Sequence, residues 1–259
     1  MQSVLESACE AARVGGKILR EQLGKAAVHE KGPADLVTDA DLASQRAIEQ
    51  LLMGRFPQHA FMGEESTEEQ RQQAIDSGKP TWVVDPLDGT ANYAHSLLGF
   101  SVSIALVDGK QPRVGVVYDP MTDVMYAAEQ SGQVSKNGKP IRVSGCTHIE
   151  RAMVCCSFRP GVSRQDPEIN QFLNVLERSQ SLRRLGSAAL NLCYVAEGCL
   201  DAYWATSVKT WDIAAGYLIA KNAGAVFSNI EGDDFDLWNP KLVVASSREL
   251  HGQMLQCFA

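Results

Sequence analysis

Residues 81–93 read TWVVDPLDGTANY. The apolar run Trp82-Val83-Val84 predicts a buried strand over 81–85, and Pro86 bounds it. Two carboxylates, Asp85 and Asp88, follow three residues apart, and Gly89-Thr90 leads toward a helix over 90–95. Pro86 fixes φ and Gly89 permits close backbone approach, so a tight turn lets both carboxylates converge on one point. Carboxylates gathered in this way repel, and some take up protons unless a cation neutralises them. All-oxygen ligands suit a hard divalent ion, Mg²⁺ above all. The N–H groups of Gly89, Thr90 and Ala91 would form a phosphate cradle at the helix start. Metal-binding carboxylates beside an anion-binding helix start are the equipment for phosphoryl transfer to water.

Three further segments carry acidic residues at comparable places. Glu64 and Glu65 follow a predicted strand at 59–62. Asp212 opens a predicted helix at 211–223. Asp41, with Asp39 beside it, lies near the start of a second helix running to about Met53. Taken singly, an Asp at a helix start is a cap or a dipole partner, and a Glu-Glu pair in a loop is solvated. Taken together, they supply the donors that a metal site requires.

The rest of the chain is consistent with a globular enzyme. Its 259 residues suffice for one large domain or two small ones. A net charge of −7 argues against nucleic acid as the main partner, because neutralising phosphates needs clustered Lys and Arg. The N-terminus lacks the apolar centre of a signal peptide, and no apolar run is long enough to span a bilayer. The seven cysteines form no CxxC pair, so free thiols in a reducing, cytoplasmic setting are expected.

Periodicity predicts helices at 3–23, 167–179, 187–197 and 247–257. Gly32-Pro33 marks a turn, and 36–38 is strand-like. Strands are expected at 100–107, 112–119 and 123–129 in an antiparallel meander, with a hairpin signal at Asn137-Gly138. Later strands are expected at 152–157, 181–185, 200–204, 225–228 and 242–246. Residues 67–79 read as a solvated helix or loop. The result is a layered α/β architecture with a boundary near 145, dividing 1–145 from 146–259 within one compact unit.

Seven ordered blocks make the chain resemble the inositol monophosphatase family. DPLDGTANY and WDIAAGYLIAKNAGA (211–225) match its two signatures. GEES (63–66), DLVTDAD (35–41), GVVYDP (115–120), NGKPIRVS (137–144) and GSAALNLCYVAEGCLDAYW (186–204) match in order and spacing. The resemblance implies an αβαβα sandwich of the inositol monophosphatase/fructose-1,6-bisphosphatase type, a cytoplasmic homodimer, and lithium-sensitive, Mg²⁺-dependent hydrolysis of a small phosphorylated metabolite. Glu64, Asp85 and the Leu87 carbonyl would hold one Mg²⁺, and Asp85, Asp88 and Asp212 a second. A third, weaker ion would bind through Glu64 and waters. Glu64 and Thr90 would activate the attacking water, with Asp41 tuning Thr90. The amides of Gly89 and Thr90 would bind phosphate, and Ser187 and Ala189 would contact the leaving group.

The sequence departs from the family where it would recognise substrate. Members that prefer inositol phosphates usually carry a Glu in a stretch like YxExGxxxWD. Here YWATSVKTWD (203–212) puts Ala205 at that position, and a methyl group cannot accept a polyol's hydrogen bonds. Lys209 could meet a second phosphate or a carboxylate, and Arg183 and Arg184 add positive charge near the predicted substrate wall. Fructose 1,6-bisphosphate, 3′-phosphoadenosine 5′-phosphate and histidinol phosphate are therefore alternative substrates beside inositol 1-phosphate. A regulatory, partner-binding role is the non-enzymatic alternative, but the complete acidic set argues against it. His95 is expected to be structural.

Overall fold

A computed structural model of the chain describes residues 3–32, 35–159 and 161–258. Helix α1 (Val4–Gln22) begins at a reciprocal cap: Glu6 N donates to Ser3 Oγ, and Ser3 N donates to Glu6 Oε2. Strands β1 (Val28–Gly32) and β2 (Asp35–Thr38) form an antiparallel hairpin ahead of α2 (Asp39–Arg55). The turn expected at Gly32-Pro33 reaches Pro33, outside the described residues. β1 is not legible in the sequence, because VHEKG lacks the alternation of a half-buried strand.

Next come β3 (Ala60–Gly63), α3 (Glu68–Asp76), β4 (Thr81–Asp88), α4 (Thr90–Ala94), β5 (Ser101–Asp108), β6 (Gln111–Asp119), β7 (Val124–Glu129), β8 (Val134–Lys136) and β9 (Lys139–Pro140). The strands from β3 to β9 form one sheet in sequential order. β3 runs parallel to β4, and the later pairings are antiparallel. Asn137 and Gly138 both adopt positive φ, which suits the two-residue turn between β8 and β9.

The chain continues through β10 (Met153–Ser157), α5 (Pro167–Arg178), β11 (Ser181–Arg183), α6 (Ala188–Ala196), β12 (Ala202–Ala205), α7 (Thr210–Asn222), β13 (Val226–Ser228), β14 (Leu242–Ala245) and α8 (Arg248–Leu255). These five strands form a second sheet in the order β11-β10-β12-β14-β13.

Side-chain alternation sorts the layers. Trp82, Val84, Ile104 and Val116 of the first sheet pack with Ala8 and Leu19 of α1 and Ile48 and Leu52 of α2. The alternate residues Val83, Ala105 and Val117 turn to the other face and meet Leu192 of α6 and Ile213 and Ile219 of α7. The same two helices cover Tyr203, Leu242 and Val244 of the second sheet. Its far face, with Val154, Trp204 and Val243, packs on Val175 of α5 and on Leu250 and Met254 of α8. The outcome is the five-layer αβαβα sandwich. The middle layer, α6 and α7, is hydrophobic on both sides and holds the two sheets together. Each fully buried Leu or Ile there contributes roughly 1.5–3 kcal/mol.

Candidate active site

β4 extends to Asp88, beyond the end at Asp85 that Pro86 suggests, and it does so through a bulge. Asp85 pairs with Ser103 and Asp88 with Ser101, so Pro86 and Leu87 stand opposite the single residue Val102. In an unbroken ladder Leu87 would face Ser101, and Asp88 would turn to the opposite face of the sheet. The extra residue reverses that parity. Leu87 enters the core beneath α1 and α2, while Asp85 and Asp88 both point toward α6 and α7. Ser44 of α2 holds the bulge by donating to the Pro86 carbonyl at 3.2 Å, and Leu87 N donates to Asp85 Oδ1 at 2.9 Å.

Gly89 follows with φ +99°. A Cβ there would sit 3.0 Å from the Gly99 carbonyl oxygen, so both conformation and space demand glycine. The short helix α4 starts at once, which puts the Gly89 and Thr90 amides beside the two aspartates.

The other acidic groups arrive on separate elements. The backbone of Glu64 extends the β3–β4 pairing, with Glu64 N donating to the Val84 carbonyl at 3.0 Å. Arg71 donates to the Glu64 carbonyl at 2.9 Å and lies over the Trp211 ring, tying this turn to the start of α7. Asp212 is the third residue of α7 and accepts a hydrogen bond from Lys209 N at 2.7 Å. Asp41, fully buried in the first turn of α2, accepts from Thr38 N and Thr38 Oγ1 with Oδ2. Its Oδ1 lies 3.5 Å from Thr90 Oγ1, which also donates to the Leu87 carbonyl at 3.1 Å.

Charge crowding binds these residues into one site. Burial, then Glu64, Asp88 and Asp212, push the Asp85 carboxyl well above its ordinary pKa. Burial, then Asp88 and Glu64, push Asp212 upward too, while the Lys209 amide and charge pull against them. Asp88 is raised to about 6 by burial, and its hydrogen bonds from Ser187, Ala189 and Ala188 hold it down. Among the described residues, no three such groups as they stand close on one point tightly enough to grip an ion. The donor set nonetheless fits a hard cation. It is all oxygen, it is buried, and its carboxylates raise one another's proton affinity in the way that a bound cation relieves.

Ser187 and Ala189, expected beside the leaving group, lie next to Asp88. Both are buried, and both serve Asp88: Ser187 Oγ and Ala189 N donate to Asp88 Oδ2, and Ala188 N donates to Oδ1 at 3.1 Å. Lys209 is exposed beside Asp212. Glu65 is half-buried, and its N–H donates to Gln45 Oε1 at 2.9 Å. Arg184 packs its guanidinium over Phe158 and donates to the Phe158 carbonyl. Arg183 is bonded to Ser181 and Leu182. Ala205 is fully buried at the end of β12, and His95 is exposed at the end of α4.

Residues 1–258 match the model of the inositol monophosphatase family. The chain belongs to that family. It is 39% identical over 243 residues to inositol monophosphatase 3 of Solanum lycopersicum, covering 92% of this chain and 90% of that one. It is 37% identical to the fructose-1,6-bisphosphatase/inositol-1-monophosphatase of Aquifex aeolicus, across 99% of this chain and 95% of the relative. The crystal structure of the extragenic suppressor protein suhB from Bartonella henselae superposes with a TM-score of 0.91 at 30% identity, covering 99% and 98% of the two chains. Family membership makes this chain a phosphatase, a phosphoric monoester hydrolase, and the family is generally metal-dependent.

Sequence reasoning missed two supporting residues, Ser44 and Gln45, and the service that Ser187 gives to Asp88. Gln45 fills the space that a Cβ on Gly63 would need and holds the Glu65 amide. Ser44 pins the bulge, and Ser187 anchors Asp88. Ser44 and Gln45 carried a signal: they are polar residues on the buried stripe of α2 that also holds Ile48 and Leu52.

Proposed function

We propose that this chain hydrolyses the phosphate monoester of a small metabolite of the inositol 1-phosphate type. Two Mg²⁺ ions would be held by Glu64, Asp85, the Leu87 carbonyl, Asp88 and Asp212, with a third, weaker ion near Glu64. The observation that carries the reading is the mutual crowding of Glu64, Asp85, Asp88 and Asp212, drawn from three separate segments. When bound, Mg²⁺ supplies Lewis acidity, lowering the pKa of water and offsetting charge on the phosphoryl and leaving oxygens.

The protein's own groups do the positioning. Thr90 Oγ1, fixed between the Leu87 carbonyl and Asp41, orients the attacking water, and Glu64 receives its proton. The amides of Gly89 and Thr90 donate to the phosphate. No side chain becomes phosphorylated, and water attacks phosphorus directly.

Ala205 and Lys209 favour a second reading, hydrolysis of a sugar bisphosphate. A buried methyl group stands where a polyol-binding Glu is usual, and an exposed ammonium stands beside Asp212. The name of the Aquifex aeolicus relative joins both activities. A homodimer fits the exposed leucines 97, 98 and 185, whose segments Asn92 Nδ2 joins by donating to the Gly99 and Leu185 carbonyls. All seven cysteines are free, which fits a reducing cytoplasm. Among the described residues, no helix is long and apolar enough to cross a membrane.

Phosphate release from a panel of inositol, sugar, nucleotide and histidinol esters, with and without Mg²⁺, tests the proposal. Mg²⁺-dependent release from at least one ester is expected. No release from any ester would overturn it, and a stable protein partner would then point to the regulatory role.

A further inference from the structure

We infer that Ser187 is a positioning residue that orients the Asp88 carboxylate for cation binding. This inference rests on the proposal above that Asp88 is a metal ligand.

An ionised carboxylate offers roughly four acceptor positions. Three of those on Asp88 face one helix start: Ser187 Oγ and Ala189 N on Oδ2, and Ala188 N on Oδ1. The two amides are fixed by the backbone of α6. The Ser187 hydroxyl is the one side-chain donor that this helix start supplies; a second side-chain hydrogen bond reaches Asp88 from Ser101 on the neighbouring strand. Residues 88 and 187 lie on different layers, so this contact sets the carboxylate's rotation relative to the bulge in β4.

The hydroxyl has two separable roles. As an acceptor it takes Leu190 N at 3.2 Å and so caps α6. As a donor it gives its single proton to Asp88. Ser101, the cross-strand partner of Asp88, has its own hydroxyl 3.4 Å from Ser187 Oγ. Capping needs only the oxygen, whereas orienting Asp88 needs the proton. Groups that hold a metal ligand from behind typically alter metal affinity by roughly 10- to 100-fold.

Glycine at an N-cap costs a helix only a few tenths of a kcal/mol, so Ser187→Gly removes the donor with little loss of capping. Threonine keeps both roles. The test is calorimetric titration of Mg²⁺ into the wild type, Ser187→Gly and Ser187→Thr, with the thermal midpoint of each. Mg²⁺ affinity is expected to fall about 10-fold or more in the glycine variant and to return in the threonine variant, each midpoint serving to show that the variant is folded at the temperature of the titration. Equal affinity in the glycine variant and the wild type would overturn the role of Ser187 alone. A threonine variant no better than glycine would do the same. A wild type that binds no Mg²⁺ would overturn both this inference and the metal site beneath it.

Discussion

Asp85 and Asp88 lie on the same face of β4 because two residues, Pro86 and Leu87, stand against one residue of the neighbouring strand. A separation of three would otherwise set them on opposite faces. The bulge thus converts a short acidic motif into paired donors. It also leaves Leu87 free to fill the core on the other side, so positioning the site costs the sheet little packing.

Asp88→Asn keeps the size of the side chain and removes its charge. The new amide would also confront donors from Ser187, Ala188 and Ala189. Phosphate release is expected to fall by at least about 100-fold, with circular dichroism unchanged. A near-normal rate would remove Asp88 from the mechanism.

Metal-free protein should lose stability as pH rises. Asp88 is raised to about 6 in the fold, and Asp85 and Asp212 are raised well above the ordinary value. Their protonated forms favour the folded state, so this contribution is full below the unfolded pKa near 4; the part from Asp88 is lost as pH climbs through about 6, and the parts from Asp85 and Asp212 as pH climbs through their own raised values. Mg²⁺ should therefore raise the thermal midpoint more at pH 8 than at pH 5. At 100 times its Kd the gain is about 2.7 kcal/mol, or roughly 5–10 °C for a chain of this size. Scanning calorimetry with EDTA and with Mg²⁺ reads it; a larger effect at pH 5 would contradict the site.

Gly89→Ala forces a side chain into positive φ and toward the Gly99 carbonyl. A left-handed alanine alone costs about 1–2 kcal/mol, and the contact adds to it. A fall of roughly 2–8 °C in the thermal midpoint and loss of phosphate release are expected. An unaffected midpoint would mean that the turn can relax.

Millimolar lithium should inhibit turnover. The ion shared by Asp85, Asp88 and Asp212 would be the more weakly held, because Asp88 and Asp212 already accept bonds from helix-start amides. Rates measured against LiCl, with KCl as the ionic-strength control, check this. Equal rates in both salts would break that part of the family likeness.

Much of this arrangement is legible in the sequence. Apolar runs bounded by turn signals give most of the strands, and the helices 187–197 and 211–223 are expected; their place as the middle layer comes from the structure. DPLDGT, GEES and WD give the acidic residues. The bulge is not legible, because Pro86 reads as a strand end and its effect on side-chain parity depends on the register with β5. The work of Ser187 is hidden for a similar reason. Its partner is 99 residues away, and an N-cap serine needs no further explanation. β1 escapes notice because pairing with β2, not its own polar sequence, makes it a strand.

Anomalous diffraction from a crystal soaked in Mn²⁺, a stand-in for Mg²⁺, tests the central claim most directly. The account predicts strong peaks among Glu64, Asp85, Asp88 and Asp212, each ligated by carboxylate oxygen. A soaked crystal with no peak among those side chains, and with the four pointing apart, would contradict it.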